Sequence, residues 1–224
     1  MTMKKISIAV ATIILATMAA PVSQAADPTP SVAGCKTSTA TRHTPATVKQ
    51  PTAPAKKLPK TLTFSTNCGD IVITLNPKAP QTITNMSVLA NAGYFDKSLC
   101  HRLTTQGLFV LQCGDPTLTG AGSPTGWKGY ADENLPKAGA NNYPAGTVAM
   151  ANSGPATNGS QFFLVYADTQ LGPNYTIWGK ITKGLDIVKK IGAAGAFTVQ
   201  DNKSYVVPDG YPIQLVELVK AKAK

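Results

Sequence analysis

From Thr61 onward, apolar and polar residues alternate in short runs. Thr61–Phe64 and Asp70–Leu75 both carry a period of two, and Thr66-Asn67-Cys68-Gly69 between them is turn chemistry, so the pair predicts an opening β-hairpin. At Pro80 the period changes. Ile83, Met86, Leu89 and Ala90 recur at helical spacing, Pro80 suits a first helical turn, and Gly93 ends the pattern. Cys100–Leu103 and Phe109–Gln112 read as short strands joined by Thr104-Thr-Gln-Gly107, and Thr147–Ala151, Gln161–Val165 and Thr176–Ile181 as three more. Leu185, Ile187, Val188 and Ile191 mark a second amphipathic helix over Gly184–Ile191, and Ile213–Val219 forms the closing strand. The Gly/Pro-rich stretch from Asp115 to Tyr143 is too long for a mere connection and predicts functional surface. Short strands with two helices make a mostly β domain, a barrel or a sandwich.

The first 60 residues follow another logic. Lys4 and Lys5 precede an uncharged apolar run from Ile6 to Ala20, and Pro21 and the small residues of Ser23-Gln24-Ala25 follow it. At 15 residues the run is shorter than the roughly 20 that cross a bilayer. Residues 1–25 therefore read as a secretory signal peptide, with an uncleaved membrane anchor as the rival. A lipoprotein box at Val32-Ala33-Gly34-Cys35 stands too far from the apolar run to be preferred. Residues 26–60 hold six prolines and no aromatic residue, the composition of a disordered spacer. Of the net charge of +10, the spacer carries +5 and residues 61–224 carry +3. The basicity is thus mainly in the spacer, where it suits anionic envelope polymers or simple solvation. No nucleic-acid recognition motif appears, no Cys-His spacing suggests zinc, and no heptads imply an oligomer, so the chain reads as a monomer without a cofactor.

What remains for chemistry is unusual in what it lacks. His101-Arg102, Phe109-Val-Leu-Gln-Cys-Gly-Asp115 and Met150-Ala-Asn-Ser-Gly-Pro-Ala-Thr-Asn-Gly-Ser-Gln-Phe-Phe163 offer one permanent cation, several amides and apolar walls. They offer almost no nucleophile or proton shuttle, which suits a reaction without covalent intermediates or proton transfer. Taken with Gly114-Asp115-Pro116 and Asp132-Glu133-Asn134, these motifs stand in an order and at intervals that closely resemble the cyclophilins, a family of peptidyl-prolyl cis/trans isomerases. The resemblance covers about Thr61 to the C-terminus and implies a closed eight-stranded antiparallel β-barrel capped by two α-helices.

It also implies roles. Arg102 is the catalytic arginine, with Phe109 and Gln112 beside it. Val110, Phe163 and Leu171 join Phe109 as walls for a proline ring, Ala151 and Asn152 pair with an extended peptide, and Tyr175 stands where many members carry a histidine. Strand alternation puts Gln161 and Phe163 on one face and sends Phe162 into the core. The interval from Arg102 to Phe109 is about two residues longer than is common in the family, and Val110 replaces a usual methionine. The tryptophan usual near Leu171 is missing, which implies weak binding of cyclosporin-type macrocycles. Export permits disulfides, and four cysteines allow three full pairings. A hairpin centred on Gln106-Gly107 would set Cys100 opposite Cys113, while inert buried thiols are the other reading. The expected protein is an exported isomerase, secreted or held at the envelope, that assists folding of proline-containing exported proteins. A non-catalytic proline-peptide-binding module tethered at the cell surface is the alternative.

Overall fold

The alternating segment at the head of the domain forms β1 (Thr61–Thr66) and β2 (Gly69–Leu75), paired antiparallel from Thr61↔Thr74 to Thr66↔Gly69. The computed structural model describes residues 32–45 and 47–224; the expected signal peptide lies outside them. Next come α1 (Pro80–Asn91), β3 (Ser98–Leu99), β4 (Arg102–Thr104), β5 (Val110–Cys113), β6 (Thr147–Met150) and β7 (Phe162–Val165). β8 (Ile177–Lys183), α2 (Leu185–Ala194), β9 (Ala196–Gln200), β10 (Lys203–Val207), β11 (Asp209–Pro212) and β12 (Glu217–Ala223) complete the chain.

All strand pairs are antiparallel, in the order β10-β9-β11-β4-β5-β7-β6-β8-β2-β1-β12-β3. Among the described residues the fold is therefore mostly β with two helices, as expected, but its sheet has twelve strands and is not closed, in place of the eight-stranded barrel. Two features account for the difference. The expected strand Cys100–Leu103 is split, so that residues 98–99 pair with β12 and residues 102–103 with β5, with Cys100 and His101 between the ladders. The second feature is an unpredicted meander, β9–β10–β11, laid beside β4. Its first turn is Asp201-Asn202, with φ of +50° and +58°, the left-handed pair that a two-residue hairpin demands.

The core lies between the sheet and the helices. Phe64, Phe95, Phe162 and Trp178 are all fully buried; Phe162 stacks on Phe64 with ring centres 5.0 Å apart and meets Trp178 edge-on. From α1 come Ile83, Met86, Leu89 and Ala90, the residues whose spacing predicted the helix. Pro80 opens this helix, which has no capping side chain of its own. Glu133, from the long loop, supplies one: its carboxylate accepts from the backbone N–H groups of Gln81 and Thr82 at 3.0 and 2.8 Å. The loop is thereby held to the core. Among the described residues no helix is long and apolar enough to cross a membrane.

The expected free spacer needs correction. Residues 32–45 and 47–60 form no helix or strand, in line with their composition, yet they are fastened to the domain. Cys35 is disulfide-bonded to Cys68, Val32 and Val48 are buried, and Trp127 donates its indole N–H to the Val48 carbonyl at 2.6 Å. Ser38 donates to Glu217, and Gln50 exchanges hydrogen bonds with the Lys128 backbone. The sulfur of Cys35 is thus engaged in a cross-link. Lys36, Arg42, Lys49, Lys56, Lys57 and Lys60 remain exposed, so their charge acts at the domain surface and not at the end of a tether.

Candidate functional site

Strand register assembles the site. β4 sets Arg102 opposite Gln112 on β5, β5 sets Gln112 opposite Phe163 on β7, and β7 sets Phe163 opposite Ala149 on β6. Directly paired residues share a face of the sheet, so these four form a row across it. Beside the row, Arg102, Leu108, Val110, Gln112, Ala151, Asn152, Phe163, Leu171 and Tyr175 line a hollow of about 160 Å³. Phe163 meets Tyr175 and the fully buried Tyr143 through its ring, at 5.6 and 6.2 Å between centres.

Supports reach the hollow from behind. The Tyr143 hydroxyl donates toward the carbonyls of Gly172 and Tyr175 and accepts from Tyr175 N–H at 3.1 Å. Asn142 clasps Leu171 by two bonds, donating to its carbonyl at 2.8 Å and accepting from its N–H at 3.0 Å. Both residues close the Gly/Pro-rich stretch expected to be functional surface, and their work is backbone support.

The polar side of the site is a chain of amides. Arg102 Nη1 donates to Gln112 Oε1 at 3.3 Å, and Gln112 Nε2 donates to Gln161 Oε1 at 2.9 Å. Gln161 Nε2 then donates to the carbonyls of Gly120 and Gly122 at 2.9 and 3.0 Å. Each amide donates at one end and accepts at the other, which polarises the chain. The Gln112 carbonyl oxygen is thereby directed at the guanidinium. Gln161 lines the adjoining half of the groove with Gly120–Ser123 and Thr157, and Gln112, Ala151 and Asn152 border both halves. The expected peptide pairing at Ala151 is limited, because its N–H is committed to the Gln161 carbonyl at 3.0 Å.

Phe109 is the clear correction. It does not line the hollow. Its ring packs edge-on against Tyr166, 5.9 Å away, and borders a separate depression with Thr105, Ala145, Asp168 and Lys189. The reason is strand alternation: with Val110 and Gln112 facing the groove, Phe109 and Leu111 must face away. Leu108 takes the wall position instead, which alternation alone could have found. Cys100 and Cys113, immediately beside His101 and Gln112, are joined by a disulfide. The sequence also gave no hint of Asp209, whose carboxylate grips Arg102 through Nε at 2.7 Å and Nη2 at 2.6 Å. This hydrogen bonding raises the arginine pKa further, against burial, which lowers it.

Asp115 builds the groove wall. It is fully buried and accepts from the backbone N–H groups of Thr117, Thr119, Gly120 and Gly122, as well as from the Thr117 and Thr119 hydroxyls. Burial alone, the largest influence, would raise its pKa; the bonds from Thr117 and Gly122, with His101 nearby, outweigh it and hold the carboxyl below its usual range. For His101, burial is again the largest influence and lowers the pKa from 6.5 despite Asp115, which raises it. The signs give a pH profile. Unfolded His101 takes up a proton near pH 6.5, the folded imidazole resists it, and stability therefore falls as pH drops below about 6.5. Asp115 adds a second loss as pH falls below about 4, where the unfolded carboxyl protonates first. Thermal unfolding at pH 7.5 and 5.5 measures the first loss. The midpoint should drop in the native chain and drop much less in His101→Leu; equal drops would refute the assignment.

Residues 61–218 match the family model described as cyclophilin type peptidyl-prolyl cis-trans isomerase/CLD. The chain is 46% identical over 159 residues to the probable peptidyl-prolyl cis-trans isomerase B of Mycobacterium leprae, covering 66% of this chain and 52% of that one. It is 43% identical over 162 residues to the probable peptidyl-prolyl cis-trans isomerase B of Mycobacterium tuberculosis, covering 67% and 51%. The chain thus spans about half the length of these curated relatives. Among solved structures, a Cryptosporidium parvum cyclophilin type peptidyl-prolyl cis-trans isomerase, determined in the presence of the dipeptide Ala-Pro, superposes with a TM-score of 0.59 at 25% identity. That superposition covers 73% of this chain and 98% of the other.

Proposed function

Since the chain belongs to the cyclophilin-type peptidyl-prolyl cis-trans isomerase family, we propose that it accelerates rotation about X-Pro bonds in polypeptides. The observation that carries this reading is the placement of the Arg102 guanidinium in one row with Gln112 and Phe163, at the edge of a hollow with apolar walls from Leu108, Val110, Phe163 and Leu171. Amide resonance sets a rotational barrier of about 18–20 kcal/mol. In the twisted state the imide nitrogen becomes pyramidal and regains a lone pair. A donor aimed at that lone pair stabilises the twisted state more than either planar isomer, which is what acceleration requires.

Arg102 is built for that task. A guanidinium has five N–H groups; Asp209 engages Nε and Nη2, and Gln112 engages Nη1. One N–H on each terminal nitrogen is left uncommitted among the described residues. Leu108, Val110, Phe163 and Leu171 would hold the proline ring by apolar contact, while Tyr175 and Asn152 flank the chain on either side of it. No proton moves and no covalent bond forms, so the rate should not depend on pH between about 7 and 9, where no other group titrates at its ordinary value in this row.

The disulfides Cys35–Cys68 and Cys100–Cys113 suit an oxidising compartment, and with the N-terminal apolar run they support an exported protein acting on exported, proline-containing clients. The dipeptide in the Cryptosporidium parvum structure supports a short X-Pro unit as the element recognised. The direct test is NMR exchange on an Ala-Pro tetrapeptide with the native chain. Exchange above the buffer rate supports catalysis. Peptide binding without acceleration would favour the non-catalytic module.

A further inference from the structure

The two shortest bonds to Arg102 come from outside the groove. Asp209 opens β11, the last strand of the unpredicted meander, 107 residues away in sequence. Its position is fixed by backbone pairing to the strand that bears the arginine. Asp209 pairs with Thr104, Gly210 pairs with Leu103, and Thr105 N–H donates to the Pro208 carbonyl at 2.8 Å. Arg102 stands two residues along from Thr104, on the same face, at the diagonal that long side chains reach. Gly210 lets β11 close on β9, because a Cβ there would collide with the backbone carbonyl of Phe197. The Phe197 and Tyr211 rings, 6.0 Å apart, tie β9 to β11.

We propose that Asp209 is a positioning residue for Arg102: its carboxylate sets the plane of the guanidinium so that the far edge faces the proline hollow. The inference rests on the isomerase reading above. A free arginine side chain explores many rotamers, and an anchor removes that freedom before substrate arrives. The 3.3 Å contact to Gln112 is too long to do this alone, whereas two charge-assisted bonds at 2.6 and 2.7 Å, in the planar fork, define one orientation. The carboxylate grips the Nε–Nη2 edge, so the terminal Nη1–Nη2 edge, with one N–H free on each nitrogen among the described residues, is the one presented. Its negative charge also tempers the guanidinium, and orientation outweighs this.

The test uses the full chain with Asp209→Asn, Asp209→Glu, Arg102→Lys and the Arg102→Lys/Asp209→Asn pair, each assayed for kcat and KM on an Ala-Pro tetrapeptide. Asp209→Asn should lower kcat about 10- to 100-fold, the scale of a misaligned catalytic group, and leave KM within about twofold, since the ring pocket is untouched. Asp209→Glu should recover part of the loss. In the Arg102→Lys background, Asp209→Asn should add nothing. The melting temperature should move by less than about 3 °C, because the pair is half-exposed. An unchanged or raised kcat in Asp209→Asn would overturn the proposal, as would an equal loss in the Arg102→Lys background. Relaxation of the Arg102 Nε–H resonance provides a readout independent of turnover: order should be high in the native chain and lower in Asp209→Asn. Unchanged order would likewise overturn it. If the native chain proves inactive, the isomerase reading fails, and the resonance still decides whether Asp209 orients Arg102.

Discussion

In an Arg102→Ala chain, kcat/KM for an Ala-Pro tetrapeptide is expected to fall about 100- to 1,000-fold, the range seen when one preorganised transition-state donor is removed. The fold should persist. Arg102 keeps 41% of its side chain exposed and is absent from the core clusters. Arg102→Lys should recover little, because an ammonium cannot engage Asp209 side-on and still present a second edge to the hollow. Affinity for a proline peptide, measured calorimetrically, should change far less than the rate, since Phe163, Val110 and Leu171 supply apolar contact in both planar isomers. Native-like turnover in Arg102→Ala would remove the guanidinium from the mechanism.

The second large effect is on stability. Replacing Cys100 and Cys113 together with alanine is expected to destabilise the fold by about 3 kcal/mol, the chain-entropy value for a loop near 15 residues; the sequence separation here is 13. For a domain of this size that is roughly 6–12 °C in Tm. Both sites are buried, at 2% and 0% exposure, so the smaller side chains would also leave unfilled space. Activity should weaken too, as the cross-link holds the segment leading into Arg102 against the strand that carries Gln112. Differential scanning calorimetry decides the matter, and a midpoint within about 2 °C of the native one would refute the expectation.

How far the sequence disclosed this structure depended on whether each element's pattern was local. The β1–β2 hairpin and α1 were legible because period and turn chemistry agreed over a few residues. Phe162 and Phe163 were separated correctly by alternation, into the core and the groove respectively. Phe109 departs from the wall position that the family resemblance implies, because the same alternation turns it away from the groove and brings Leu108 there instead. The β9–β10–β11 meander escaped because Val199 and Val206 are exposed, so no buried stripe marks them. The usable clue was Asp201-Asn202 between two alternating runs. Asp209 had no local clue, since its partner lies 107 residues back and only the meander's docking brings them together. Composition alone anticipated irregular backbone upstream of Thr61. It could not reveal that Asn67, Trp127 and Glu217 would supply that backbone with partners.

The attachment of residues 32–45 and 47–60 bears on how the molecule should be handled in the laboratory. A version begun at Thr61, where the family match starts, would retain Cys68 but discard Cys35, leaving an odd thiol on an intermediate-exposure turn. Such material is primed for covalent dimers on air oxidation, and it would also strip the Trp127 indole of its hydrogen-bond acceptor. Preparations that retain Cys35 and everything after it keep each sulfur with its own mate.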